Sequence, residues 1–79
     1  MKVTIEYCMQ WNYEPRAFRL REEVSYKYPE QIEDFNMIQS GGGVFEVSVN
    51  DSLIFSKKSL NRFPEDGEII ELVKRFGLI

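Results

Sequence analysis

The chain has 79 residues, a net charge of −3, one cysteine and no histidine, and it is 43% hydrophobic and 14% aromatic. This length fits a single domain over residues 1–79, and the aromatic content argues against disorder. The acidic balance disfavours nucleic-acid binding, and the lack of histidine disfavours a metal site. One cysteine forms no internal disulfide and no apolar run approaches a membrane span, so we expect a cytoplasmic protein without a membrane partner.

The first two predicted elements are a strand and a helix. Residues 2–7 alternate apolar and polar side chains, which predicts a strand with one buried face and shows no apolar core of a signal peptide. Pro15 is tolerated in a first helical turn and Pro29 favours a helix end, so we predict a helix over about 14–28. Its apolar stripe has helical spacing and comprises Tyr13, Ala17, Leu20, Val24 and Tyr28.

A strand and a hairpin are predicted next. Residues 31–38 contain an irregular apolar set that we interpret as a strand, and residues 40–43 (SGGG) break the pattern. Apolar residues then alternate up to the turn residues Asn50 and Asp51, and an apolar run follows them. This pattern predicts a β-hairpin over residues 44–57.

A loop and a second helix complete the chain. The polar segment after the hairpin begins with Lys57 and Lys58, which we expect to be solvated. Pro64 favours a helix start, and Gly77 stands where a C′ glycine is expected, so we predict a helix over about 64–76. The apolar stripe of this helix consists of Ile69, Leu72, Val73 and Phe76.

The element order β-α-β-β-β-α predicts an α+β sandwich of the thioredoxin kind, with a four-stranded mixed sheet and two helices. The first βαβ unit is expected to be parallel, and the hairpin is expected to close the sheet antiparallel. The side chains predicted to pack between sheet and helices are Phe45, Val47, Val49, Leu20, Val24, Leu72 and Phe76.

Cys8 is the first candidate site residue, because it ends the first strand and precedes a helix. Helix N-termini stabilise a thiolate, so Cys8 is either a reactive, partly exposed thiol or a small buried hydrophobe. Arg16 and Arg19 lie in the first two helical turns, where cations oppose the helix dipole. They either hold the thiolate, attract an anionic partner, or are solvated with Arg19 paired to Glu23.

The glycine run and Trp11 are the other candidates. A phosphate loop requires a following helix, and a strand follows here, so that interpretation fails. Gly42 and Gly43 form either a plain turn or a backbone edge beside Cys8 that holds an extended, peptide-like ligand. Trp11 is expected to be partly exposed, either as a lid over the helix end or as a contact surface.

Three blocks of sequence carry a resemblance to a known family. The first is Tyr7-Cys8, followed by a redox position at residue 11 and then by Arg16-Ala17. The second is GGVFEV (42–47), and the third is LIFSKK (53–58) followed by FPE (63–65). Together they cover nearly the whole chain, which resembles the selenoprotein W-like family, grouped with selenoproteins T and H.

The resemblance implies a thioredoxin-like fold and cytosolic thiol redox activity, often linked to glutathione. It implies that Cys8 is catalytic and that residue 11 is the redox-partner position, where the family has cysteine or selenocysteine. We expect Arg16, Gly42 and Gly43 to bind substrate. The implied partners are glutathione or protein thiols, and no cofactor is expected apart from glutathione as a co-substrate.

Trp11 departs from the family pattern, and a dithiol mechanism is not available with tryptophan at this position. Selenocysteine is encoded by UGA, a single base from the tryptophan codon UGG, so one hypothesis is that position 11 is natively selenocysteine. The alternatives are a genuine one-cysteine homologue or a native cysteine. The function alternatives are a thiol oxidoreductase and a non-catalytic protein-binding module of the same fold.

Overall fold

The computed structural model describes residues 1–77. These residues form four strands and three helices in the order β-α-β-β-β-α-α. The strands are β1 (Lys2–Cys8), β2 (Asp34–Ser40), β3 (Phe45–Val49) and β4 (Ser52–Ser56). The helices are α1 (Glu14–Lys27), α2 (Lys57–Leu60) and α3 (Glu68–Gly77).

The four strands form one mixed sheet in the order β2-β1-β3-β4. Strand β1 pairs parallel with β2 and antiparallel with β3, and β3 pairs antiparallel with β4. The predicted parallel βαβ unit and antiparallel hairpin are therefore confirmed. In this register Cys8 lies opposite Ser40, while Tyr7 lies opposite Phe45. The end of β1, the end of β2 and the start of β3 thus meet at the same end of the sheet.

The core lies between one face of the sheet and helices α1 and α3. Alternate residues of the central strands point into it, as the period of two predicts. The strand residues in this cluster are Val3, Ile5, Tyr7, Phe45, Val47, Val49 and Phe55. The helices add Ala17, Leu20 and Val24 from α1, and Ile69 and Val73 from α3. The predicted packing of β3 against the helices is confirmed.

The predicted apolar stripe of the last helix is only partly right. Ile69 and Val73 are buried and Leu72 is half-buried, but Phe76 is exposed. Phe76 lies in the last turn of α3, beyond Val73, which is the last buried residue of the helix. Gly77 is a helical residue and not the predicted C′ residue. A Cβ at Gly77 would collide with Met1 and lie 3.1 Å from Val49, so the glycine lets the helix end approach these two residues.

Two element starts differ from the prediction because turns occupy the intervening residues. Strand β2 begins at Asp34 and not at residue 31, since the Ile32 N–H bonds to the Tyr28 carbonyl in the connection. Helix α3 begins at Glu68 and not at residue 64. The segment before it forms a turn in which Gly67 has a φ of +79°, a conformation that glycine adopts without a steric penalty.

The segment predicted as a polar loop contains the short helix α2. The Ser56 hydroxyl caps this helix by accepting a hydrogen bond from the Ser59 N–H, and it donates one to the Glu46 carboxylate. The Lys58 N–H donates to the same carboxylate over 3.4 Å. The GGVFEV and LIFSKK blocks are thereby linked, because Glu46 and Ser56 together satisfy the helix start.

Candidate functional site

Cys8 ends β1 and is held by the segment that joins β2 to β3. The Cys8 N–H donates to the Val44 carbonyl, and the Met9 N–H donates to the Ser40 carbonyl, both over 2.9 Å. The glycine loop therefore lies beside Cys8, the position expected under one of the two alternatives for Gly42 and Gly43. The cause is the register, because Cys8 and Ser40 are opposite residues of a parallel pair.

The Cys8 side chain is fully buried. The expected partly exposed thiol is therefore wrong for this conformation, and the alternative of a small buried residue describes it. Cys8 nevertheless lies outside the main cluster of buried apolar side chains. Its main chain lies between two neighbours, Ser40 opposite it in β2 and Val44 in the loop before β3.

Trp11 lies in the turn between β1 and α1 and is 69% exposed, as predicted. Trp11 and Asn12 have φ angles of +58° and +61°, a left-handed conformation that is uncommon for residues other than glycine. The indole lies 3.1 Å from the point where a Cβ on Gly43 would stand. Gly43, with a φ of +73°, therefore allows the indole to approach the loop.

A chain of aromatic rings runs from the exposed turn to the core. The ring centroids are 6.3 Å apart between Trp11 and Tyr13, 4.8 Å between Tyr13 and Phe63, and 5.5 Å between Phe63 and Phe45. Phe45 is fully buried, whereas Tyr13 and Phe63 are half-buried. Neither Tyr13 nor Phe63 is predicted from the sequence as a site residue. Their proximity depends on a contact between distant segments, which no local pattern reports.

Two cations lie over these rings. The Arg16 guanidinium is 4.1 Å from the Phe63 ring centroid. The Lys57 ammonium is 5.3 Å from the Phe63 centroid and 5.5 Å from the Tyr13 centroid. Both separations are in the range of a cation–π contact. The expectation that Lys57 is simply solvated is therefore wrong, while Lys58 is exposed as expected.

Arg19 does not form the ion pair that helical spacing suggested. Among residues 1–77, the ion pair between two side chains is that of Arg62 with Glu68, so Arg19 and Glu23 are not within 4.0 Å. Both residues, with Arg16, line a cavity of about 70 Å³ between α1 and the start of α3. Neither Cys8 nor Trp11 lines this cavity.

The most strongly perturbed carboxyl group lies at the start of α3. Hydrogen bonds from Arg62 and from the Glu65 N–H lower the pKa of Glu68 to about 2. In the part of the chain described, no group of three acidic, histidine or cysteine side chains is placed to hold a metal ion. The helices of that part are also too short or too polar to cross a membrane.

Comparison with known sequences supports the family resemblance. The Rdx family profile matches residues 2–75. Migration and invasion enhancer 1 of Bos taurus is 32% identical over 75 residues, which are 95% of this chain and 64% of that protein. Selenoprotein W of Gallus gallus is 36% identical over 64 residues, which are 80% of this chain and 75% of that protein. The chain thus spans less than two thirds of the first relative's length.

Solved structures share the fold. A selenoprotein W-related protein from Vibrio cholerae superposes with a TM-score of 0.88 at 30% identity, covering 94% of this chain and 92% of that one. A protein from Bordetella parapertussis superposes with a TM-score of 0.89 at 22% identity, covering 94% of each chain. The second similarity concerns the fold alone. Together with the profile match, these findings show that the chain belongs to the Rdx family of selenoprotein W-like redox-related proteins and has a thioredoxin-like fold.

Proposed function

We propose that this chain is a glutathione-linked thiol redox protein of the selenoprotein W kind. The observation that carries the proposal is the placement of Cys8 and residue 11 at the carboxyl end of β1. The family's redox loop occupies this position, and Gly43 lies against it. Glutathione serves as co-substrate, and a reducing compartment such as the cytosol suits a chain with one thiol.

The two loop positions have different roles in this proposal. Residue 11 is exposed and therefore meets the incoming disulfide or peroxide, whereas Cys8 is buried and resolves the mixed species. With tryptophan at position 11, only Cys8 is available, and it reacts after a local opening of the loop. Its thiolate attacks one sulfur of oxidised glutathione, forming a protein–glutathione disulfide and releasing glutathione thiolate.

The substrate is held, we propose, by the glycine loop and Arg16. Gly42 and Gly43 have φ angles of +69° and +73°, and glycine backbones allow a ligand to approach closely. The Arg16 guanidinium is exposed beside the loop's aromatic rings and offers a partner for a glutathione carboxylate.

We propose that the native residue at position 11 is selenocysteine. An incoming disulfide requires an accessible reactive group, and position 11 is accessible, because the side chain there projects outward and the core is not shaped around it. Sequencing of the gene tests this directly. A UGA codon at position 11 supports the hypothesis, whereas UGG establishes tryptophan as the native residue.

The burial of Cys8 favours a second candidate, a non-catalytic protein-binding module of the same fold. In that case the exposed Trp11 is a contact residue and the thiol is a core residue. Fully buried thiols are inert, so reactivity separates the two candidates.

Intact-protein mass spectrometry after incubation with oxidised glutathione near neutral pH provides the test. If the redox proposal holds, we expect one glutathione to add stoichiometrically to the native chain and none to add to the Cys8→Ser variant. If the adduct forms only after denaturation, the thiol is not reachable in the folded protein. The binding module then replaces the redox proposal.

A further inference from the structure

A set of five residues, here termed the cation–aromatic surface, lies next to the candidate loop. It comprises Trp11, Tyr13, Phe63, Arg16 and Lys57. Its members come from the β1–α1 turn, helix α1, helix α2 and the α2–α3 connection. The fold therefore assembles this surface from segments that are distant in sequence. Of its two cations, Lys57 has no part in the redox function proposed above, whereas Arg16 is also proposed there to hold the substrate.

The two cations of this surface converge on one ring. Arg16 and Lys57 lie 4.1 Å and 5.3 Å from the Phe63 centroid, so the charges are within about 10 Å of each other, comparable to the Debye length at moderate ionic strength. Among residues 1–77, neither cation has a carboxylate within 4.0 Å. Two like charges held together repel each other, and an anion bound between them relieves that repulsion.

We propose that the cation–aromatic surface docks an acidic segment of a partner protein. Carboxylates of the partner contact Arg16 and Lys57, and an apolar side chain packs against the exposed indole of Trp11. Local charge complementarity supports this occupant, because two cations converge on the Phe63 ring beside a 69% exposed indole. The docking extends the proposed function and shares Arg16 with it, but it does not require the thiol of Cys8.

A nucleic acid is the competing occupant, since bases stack on aromatic rings and phosphates bind cations. The surface has two cations, and the acidic chain repels a polyanion beyond this local contact. A short acidic peptide presents fewer charges and an apolar side chain of suitable size. The structure therefore favours the peptide.

Trp11 is the sole tryptophan of the chain, so its fluorescence reports directly on binding at the cation–aromatic surface. Its fluorescence is to be titrated with the cysteine-free peptide acetyl-Glu-Glu-Leu-Glu-Glu-amide, with its glutamine counterpart, and with single-stranded oligothymidylate. We expect a saturable change with the acidic peptide that weakens as salt is added, and little response to the glutamine peptide.

Matched charge variants locate the binding. We expect Lys57→Gln and Arg16→Gln each to lower the affinity for the acidic peptide by about threefold, which corresponds to the loss of one exposed ion pair. Lys58→Gln removes the same charge from the adjacent exposed residue and is expected to leave the affinity unchanged. Melting temperatures of all three variants show whether the fold is retained.

Several results would overturn the proposal. They are an absence of any saturable response, an equal loss in Lys58→Gln, an equal response to the glutamine peptide, and tighter binding of oligothymidylate than of the acidic peptide. The Cys8→Ser chain separates this proposal from the redox function. If that chain binds the acidic peptide while the native thiol proves unreactive, the docking proposal stands and only the redox function is rejected.

Discussion

Trp11 is held on one side and open on the other. Its indole lies against the glycine loop at Gly43 and near Tyr13, yet 69% of its surface is exposed. Cys8, three residues earlier, has no exposed surface. Within one short turn, the residue with no redox chemistry is the accessible one, and the residue with a thiol is not. Under the redox proposal, the identity of residue 11 therefore decides whether the loop presents a reactive group to solvent.

Replacing Trp11 with alanine is expected to cost little stability. The indole buries less than a third of its surface, so Trp11→Ala should lower the free energy of unfolding by about 1 kcal/mol, well below the 3–5 kcal/mol of a buried tryptophan. Urea unfolding followed by circular dichroism measures this. A loss above 3 kcal/mol would show that the aromatic chain from Trp11 to Phe45 supports the core.

Replacing Trp11 with cysteine is expected to restore a two-sulfur loop. Trp11→Cys places a second thiol three residues after Cys8, a spacing at which oxidoreductases form a disulfide. Free-thiol titration after mild oxidation should find no thiols in this variant and one in Trp11→Ser. The cysteine variant should also reduce a disulfide substrate faster than the serine variant does. Two persistent free thiols after oxidation would refute the loop assignment.

Helix α3 depends on a local arrangement of charges at its start. Arg62 donates two hydrogen bonds to the Glu68 carboxylate, over 2.7 and 2.9 Å, and the Glu65 N–H donates a third over 2.8 Å. A carboxylate that reaches back to a preceding backbone N–H satisfies a helix start, as in a capping box. Helix α2 is likewise held by Ser56 and Glu46. Side chains that lie outside the two helices, Ser56 and Glu46 for α2 and Arg62 for α3, therefore contribute to both helix starts.

The Glu68 interaction predicts a specific pH dependence. Its pKa is lowered to about 2 from an ordinary value of 4.5, so the ionised carboxylate stabilises the fold above pH 4.5. This stabilisation is lost as the pH falls from 4.5 towards 2. Glu68→Gln should therefore be less stable than the parent chain at pH 7, and the difference should shrink below pH 4.5.

Urea unfolding of both chains at pH 7, 4.5 and 3 measures this difference. Glu71→Gln is the matched control, because Glu71 is an exposed carboxyl of the same helix without a cation within 4.0 Å in the part of the chain described. A difference for Glu68→Gln that stays constant over this range would show that the ion pair does not form in solution.

The domain is a thin two-layer structure with one core. A chain of this length buries a modest fraction of its surface, and the net stability of such domains is about 5–15 kcal/mol. The core cluster joins β1, β3 and β4 to α1 and α3, so a cavity at any point in it weakens both layers. Helix α3 contributes to this cluster mainly through Ile69 and Val73.

Ile69→Ala is expected to destabilise the whole domain by about 2–5 kcal/mol, because Ile69 is 2% exposed and its loss leaves a cavity. Phe76→Ala, although it removes a larger side chain from the same helix, should cost less than about 1 kcal/mol, because Phe76 is 55% exposed. Thermal and urea unfolding measure both. Equal losses for the two variants would show that the last turn of α3 packs against the core in solution.

Local patterns in the sequence were sufficient to predict the first strand, the first helix, the hairpin and the parallel pairing of β1 with β2. The period of two from Val3 to Tyr7 and the helical spacing from Ala17 to Val24 depend on residues within the same element. The exposure of Trp11 also followed from its place in a turn. The resemblance of three sequence blocks indicated the family.

The burial of Cys8, the exposure of Phe76 and the position of Lys57 depended on contacts between distant segments. Cys8 is buried at the point where the end of β2 and the loop before β3 bond to the end of β1. Phe76 is exposed because it lies in the last turn of α3, beyond Val73, the last buried residue of that helix. Arg16 and Lys57 come together because Phe63, from a third segment, lies between them. Such contacts bring together residues that are dozens of positions apart, and no periodicity along the chain contains that information.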